Sequence, residues 1–259
     1  MSARSHASTI QRVVLGPAAA NAGRAARLFP VGRETLHDRV YSALRRSLIH
    51  GEFDAGEALR IQDLAESLQT SAMPVREALT RLVSEQALEA LPNRTVRVPL
   101  VTQERLDDLA RARCLIEGEL TALALPHLKP ADFDRLKALT EACEAAFRSD
   151  EADKVHTTSD LNHAFHFHIY QVARSAVLIP IVESLWLQSG PYVRAAARIH
   201  DESRDIPAVH HHWALIAALQ RGDAAGAGAA LNADIMRSFD LVRGTLNGQS
   251  QTRRSTAHG

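Results

Sequence analysis

Between Leu59 and Val98 the spacing of apolar residues changes period twice. Ile61, Leu64, Ala65 and Leu68 recur at the three- and four-residue intervals of one helix face, and Gln69-Thr70-Ser71 interrupts them. Ser71 then stands where an N-cap belongs, Pro74 falls in the first turn where its missing N–H costs nothing, and Val75, Ala78, Leu79, Leu82 and Val83 form a second stripe. The polar face of that second helix carries Arg76, Thr80 and Arg81. After Ala87 the pattern becomes Leu88, Ala90 and Leu91, a Pro-Asn-Arg-Thr turn, and Val96 and Val98 alternating with arginine, which predicts a small two-stranded ribbon. Upstream, Leu36, Val40, Ala43, Leu44, Leu48 and Ile49 predict a supporting helix over 34–50. Together these elements predict a winged helix-turn-helix, with the second helix fitting a major groove and the ribbon tip reaching the backbone beside it. A helical hairpin that merely packs meets the same pattern.

Beyond Pro99-Leu100 the text is helix after helix: from Thr102, from Lys129-Pro130 to about Ser149, over 152–173, 177–188, 192–200 and 209–220, and from Ala224 to about Leu246. Nothing between 100 and 246 alternates with period two for long enough to be a strand. The expected fold is mainly α, a winged helix-turn-helix over 34–100 followed by an all-α bundle over 101–246. Residues 1–33 carry five arginines besides Ala, Ser and Gly, and no acidic residue, which predicts a disordered arm. Beside a DNA-binding domain such an arm adds non-specific attraction to phosphates; otherwise it is an inert start. Residues 247–259 read as a flexible tail.

With 259 residues, 46% of them hydrophobic, the chain has material for two domains and a substantial core. Thirty basic and thirty acidic residues cancel, so nucleic-acid affinity must come from local placement rather than from a general positive coat. Cys114 and Cys143 lie in helical text and suggest a reducing cytoplasm. No apolar run approaches the ~18 residues of a membrane span, and no secretion signal is expected.

Several polar residues of the bundle fall on apolar faces. Asn162 and His166 are four apart on the face shared with Phe165 and Ile169, so an amide oxygen and a ring nitrogen can point at one ion. Of His210, His211 and His212, only His212 has Leu215, Ile216 and Leu219 at its +3, +4 and +7 positions. Asp234 sits beside Leu231, Ile235 and Ser238. These four residues from three helices are a candidate site for a divalent metal, although a lone inward histidine is more often hydrogen-bonded in a core. His156, His163, His168, His200, His210 and His211 are expected at the surface or in helix packing.

The run from Leu36 through Val98 resembles the DNA-binding domain of GntR-type bacterial transcription regulators, through the Gly51 and Gly56 bracket around Phe53, LAESL at 64–68 and PVREAL at 74–79. The resemblance implies DNA contacts by Arg76, with Ser71, Met73 and Thr80 on the reading helix, Arg60 and Gln62 before it, and Arg94 and Thr95 at the wing. Ala72 stands where the family usually has an arginine, and Thr95 where it has the wing-tip glycine. Residues 102–246 are similar to the all-helical sensing domain, called FCD, of the FadR subgroup, through RCLIEGELTALAL at 113–125, NHAFHFHIY at 162–170 and HWALIAALQRGDAAGAGAAL at 212–231. Members commonly hold a divalent metal with one aspartate and three histidines. The corresponding places hold Asn162, His166, His212 and Asp234, so the carboxylate has moved from the first corner to the last. Zinc, manganese or nickel is the implied ion, with a small organic acid as effector bound by Arg113 and, on the helix over 192–200, Arg194.

The implied function is a cytoplasmic transcription regulator, expected to be a repressor, that binds a palindromic double-stranded operator as a homodimer. The alternative is a metal-dependent helical-bundle enzyme acting on a small organic acid. Against it, the stretches that would form the cavity offer no Ser-His-Asp order, phosphate loop or HExxH helix.

Overall fold

The computed structural model describes residues 35–92, 95–201 and 206–256, so the expected arm over 1–33 and the wing residue Arg94 lie outside the described residues. Thr35 caps α1 (Leu36–Ile49): its hydroxyl accepts from the Asp38 N–H, and the Asp38 carboxylate accepts in return from the Thr35 N–H. After α1 come α2 (Ile61–Ser67) and α3 (Ala72–Ser84), separated by a turn in which Gln69 takes a left-handed φ of 50°. Ser71 holds the extended N-cap backbone of α3, but its hydroxyl makes no cap hydrogen bond. Val40, Leu44, Leu48, Leu79, Leu82, Leu88 and Val98 close the core beneath α3, each fully buried side chain contributing about 1.5–3 kcal/mol.

The ribbon has three strands rather than the expected two. β1 (Ala58–Leu59), β2 (Glu89–Ala90) and β3 (Val96–Arg97) lie in the order β1-β3-β2, all antiparallel, with Val96 between Leu59 and Ala90. Gly56, at a φ of 82°, turns the chain so that its N–H reaches the Val98 carbonyl while the Val98 N–H reaches Glu57. A two-residue strand has no periodicity to read, which is why β1 was not expected.

The second part is all helical: α4 (Gln103–Ala124), α5 (Pro130–Arg148), α6 (Lys154–Val172), α7 (Leu178–Ile199), α8 (His210–Gln220) and α9 (Ala224–Thr256). Thr102 caps α4 through its hydroxyl, and the Asp132 carboxylate folds back onto the Lys129 N–H at the start of α5. Leu106, Leu120, Leu136, Phe165, Trp186, Leu215, Leu231 and Phe239 meet at the centre. Among the described residues no helix is long and apolar enough to cross a membrane.

Two expectations are corrected here. The helices expected over 177–188 and 192–200 are one, α7, running through Pro191. Proline removes the N–H that the Leu187 carbonyl would accept, at about 3 kcal/mol in an ordinary helix. Burial of Trp186 and Leu187 before it and Tyr192 and Ala196 after it keeps both halves in line. Helical backbone also continues past Leu246 to Thr256, through residues expected as tail; no proline interrupts that stretch.

α7 also joins the two parts. Trp186 belongs to the bundle core, whereas Leu187 is buried in the core of the winged helix. At Gly190 the end of α1 comes so close that a Cβ would overlap the Leu48 carbonyl oxygen and lie 2.7 Å from that of Ile49. Gly51, with a φ of 67°, turns the chain away at that point against Arg194. Replacing Gly190 with alanine should therefore cost about 1–3 kcal/mol or more, since backbone on both sides has to move. Urea denaturation of the two proteins measures this, and an unchanged midpoint would rule out the close approach.

Candidate functional site

Two surfaces hold the residues singled out from the sequence. On the winged helix, Ser71, Met73, Arg76 and Thr80 are all exposed along α3, and Arg60 and Gln62 are exposed at the start of α2. Thr80 is committed locally, its hydroxyl donating to the Arg76 carbonyl at 2.9 Å. Glu77 pairs with His37 at 2.6 Å, and Arg81 lies 3.6 Å over the Tyr41 ring while donating to Glu85. Thr95 is half-buried, and its carbonyl accepts from Leu91 at the base of the wing. Arg45, on the polar side of α1, donates to Glu183 of α7 and is turned toward the bundle.

Inside the bundle the structure brings Asn162, His166, His212 and Asp234 together. Asn162 and His166 come from α6, one turn apart; His212 lies in the first turn of α8; Asp234 comes from the first third of α9. His166 Nε2 lies 3.1 Å from Asp234 Oδ2, and His212 Nε2 lies 3.2 Å from Asn162 Oδ1 and 3.8 Å from Asp234 Oδ2. One donor atom each from His166, His212 and Asp234 falls within 4.8 Å of the others, and all three residues are buried. Donors about 3 Å apart are what metal bonds of about 2.1 Å at near right angles produce. Two imidazoles, a carboxylate and an amide oxygen make a borderline-to-hard set.

The hydrogen count at His166 leaves a place for a proton or a metal ion at Nε2. Arg113 grips Glu117 with two hydrogen bonds, at 2.5 and 3.3 Å, and its guanidinium lies 4.2 Å over the Trp186 ring. The Tyr170 hydroxyl donates to the same Glu117 carboxylate, and His166 Nδ1 lies 3.2 Å from that hydroxyl. Burial, reinforced by Glu117, holds the Tyr170 phenol well above its ordinary pKa. Its single proton is spent on Glu117, so the tautomer assigned from this network puts a hydrogen on His166 Nδ1, donated to the hydroxyl. Nε2 faces the Asp234 carboxylate at 3.1 Å, a contact that is favourable with a proton or a metal ion on Nε2 and repulsive with neither.

Burial alone would raise the Asp234 carboxyl, but His212 and His166 hold it below the usual carboxylate range. Burial pushes His212 down to about 4, so its ring is neutral, and its Nδ1 is buried without a hydrogen-bond partner. Phe165 stacks on that ring at 3.9 Å.

A cavity of about 40 Å³ opens beside these groups, room for roughly three waters. Thr158, Ser159, Asn162, His212 and Asp234 line it together with Val193, Ala196 and Ala197 of α7. Neither arginine expected to meet an effector lines it. Arg113 is committed to Glu117 under Trp186, and Arg194 points to the winged helix, donating to Glu52 at 2.8 Å. The cation in the cavity wall is instead Arg237, one turn beyond Asp234 on α9, which donates to His200 Nδ1 at 2.7 Å. His200, expected in packing or at the surface, lines the cavity too. The signal available in the sequence for Arg237 was its three-residue spacing from Asp234, which puts both on one helix face.

Residues 36–98 match the model of bacterial regulatory proteins of the gntR family, and residues 108–237 match the FCD domain. The HTH-type transcriptional regulator McbR of Escherichia coli (strain K12) is 31% identical over 188 residues, which is 73% of this chain and 84% of that protein. The HTH-type transcriptional repressor GlaR of the same strain is 26% identical over 220 residues, 80% of this chain and 96% of that one. The solved structure of E. coli McbR/YncC aligns with a TM-score of 0.74 at 28% identity, covering 83% of this chain and all of that one. These relatives are transcription regulators, and nothing in the comparisons supports the enzyme alternative.

The buried histidines set an acid limit on stability. His163, stacked on Phe167 at 4.1 Å, is held down to about 3 by burial and by neighbouring His50, and His212 is held at about 4. Their depressed values mean that the unfolded chain takes up protons that the folded chain refuses as pH falls below 6.5. The stability present above pH 6.5 is therefore lost progressively toward pH 4. His163→Phe keeps the stacking and removes one of these protons, so urea midpoints at pH 7.5 and pH 5 should differ less in the variant than in wild type. Equal losses would exclude His163 as a contributor.

Proposed function

The chain belongs to the GntR family of bacterial regulatory proteins and is a transcription regulator, and we propose that it represses by gripping a palindromic operator as a homodimer. In this reading a small organic acid in the bundle cavity, beside a divalent metal, controls the grip. The observation that carries it is the convergence of His166, His212, Asp234 and Asn162 beside a cavity that the last three line and whose wall includes α7, the helix against which the winged helix is docked.

α3 enters the major groove with Arg76 aimed at base edges or phosphates, while the wing lies along the adjacent backbone. A metal held by His166, His212, Asp234 and Asn162 supplies a positive centre for an effector carboxylate. Arg237 offers a second positive charge to the acid, and the Thr158 and Ser159 hydroxyls flank it. Val193, Ala196 and Ala197 face the cavity, whereas Gly190 and Arg194 of the same helix touch the winged helix. Filling the cavity shifts α7 and, with it, the separation of the two reading heads of a dimer. Effector and DNA then change each other's affinity by one shared coupling energy.

Arg76→Ala should reduce affinity for a selected operator duplex by about tenfold to a hundredfold in an anisotropy titration while leaving the melting temperature unchanged. Unaltered affinity would remove α3 from the DNA contact. For the cavity, calorimetry should find one zinc, manganese or nickel ion bound per chain, weakened by at least about a hundredfold in His212→Ala. Arg237→Ala should retain the metal but lose the response to short carboxylates. A protein that binds none of these ions and responds to carboxylates equally well in both variants would reduce the four residues to pocket lining.

A further inference from the structure

Met73 is 59% exposed, the most exposed large apolar side chain of the winged helix. It sits on the second residue of α3, three before Arg76, so the two side chains neighbour each other on the outward face. The remaining outward side chains further along α3 are tied to the protein: Glu77 to His37, Thr80 to the Arg76 carbonyl, Arg81 to Tyr41 and Glu85, and Ser84 to the Arg81 carbonyl. Ser71 before it makes no cap bond, and Ala72 brings no hydrogen-bonding group and a single methyl in place of a chain that extends away from the helix. The end of the reading helix that leads into a groove therefore presents one flexible thioether chain beside one guanidinium.

The major groove offers such a chain one apolar partner, the C5-methyl group of thymine. An unbranched thioether adapts to such a contact, and covering it removes apolar surface from water on both sides. We propose that Met73 is a specificity-determining residue that reads the methyl group of a thymine adjacent to the base contacted by Arg76. Here Met73 does the discriminating in a reading helix that carries Ala72 beside it. The inference rests on α3 being the groove-entering helix of the function proposed above.

The test starts from duplexes that the full-length wild-type protein selects from a randomised pool. Each thymine of a selected duplex is replaced in turn by deoxyuridine, which lacks only the methyl group, and affinities are measured by fluorescence anisotropy. At one position per half-site, wild type should lose about fourfold in affinity, the value of one buried methyl group. Met73→Leu should keep that loss, whereas Met73→Ala should bind the thymine and deoxyuridine duplexes alike, both at the weaker level. The side chain is exposed, so both variants should melt with wild type. The proposal is overturned if no single replacement changes wild-type affinity by about twofold or more, or if Met73→Ala still discriminates at the same position. Should wild type enrich no sequence from the pool, the DNA-reading function itself fails, and that outcome is distinct because no selected duplex then exists to titrate.

Discussion

The close approach of backbone to backbone at Gly190 positions everything else. The Leu48 and Ile49 carbonyls occupy the space that any side chain would fill, and Leu187, one turn before, is sealed in the winged-helix core. Ion pairs surround this contact: Arg45 with Glu183, Arg194 with Glu52, and Arg198 with Asp54. They are partly or largely exposed, and pairs of that kind contribute little each. Packing at Gly190 and Leu187 therefore fixes the winged helix, and the charges around it set orientation. Two cores that could have been independent share a helix.

The polar interior follows a different logic. Burying Arg113, Glu117, Tyr170, His166, Asp234 and His212 in one bundle carries a large desolvation cost unless each group finds a partner. From Arg113 to Tyr170 the partners are complete: a two-pronged ion pair, and a phenol on the same carboxylate. At His212 they are not, because its buried Nδ1 has no hydrogen-bond partner, and at His166 the contact of Nε2 with Asp234 needs a proton or a metal ion between the two atoms. The satisfied half works as a rigid bracket that fixes the orientation of His166, and the unsatisfied half is where an ion or ligand has something to complete.

The winged helix was legible because its stripes are strong and residues at the helix start have specific conformational duties, as at Ser71 and Pro74. The bundle was legible as helices from the same periodicity, and the convergence of Asn162, His166, His212 and Asp234 followed from their places on apolar faces. What escaped depends on contacts distant in sequence. Ser189-Gly190-Pro191 reads as a helix break because local propensity says so, yet tertiary burial on both flanks keeps α7 whole. Arg113 has an effector arginine's place in the family pattern, but Glu117 one turn later claims it. Arg194 looks like a bundle residue until Glu52, on the winged helix, is seen to hold it.

On the proposed mechanism the continuity of α7 is what makes a cavity of about 40 Å³ consequential. An effector that small reaches few side chains and cannot touch the reading heads. A close-packed wall, however, does not yield by soft compression; it shifts between discrete packings. Two separate helices joined by a loose turn at Pro191 would absorb such a shift at the turn. A single helix carries the displacement of Val193 and Ala196 to Gly190, where the backbone of α1 has no clearance to let it pass. The missing side chain at Gly190 and the unbroken helix across Pro191 are thus one device: the first removes slack between the helix and the reading head, and the second removes slack within the helix.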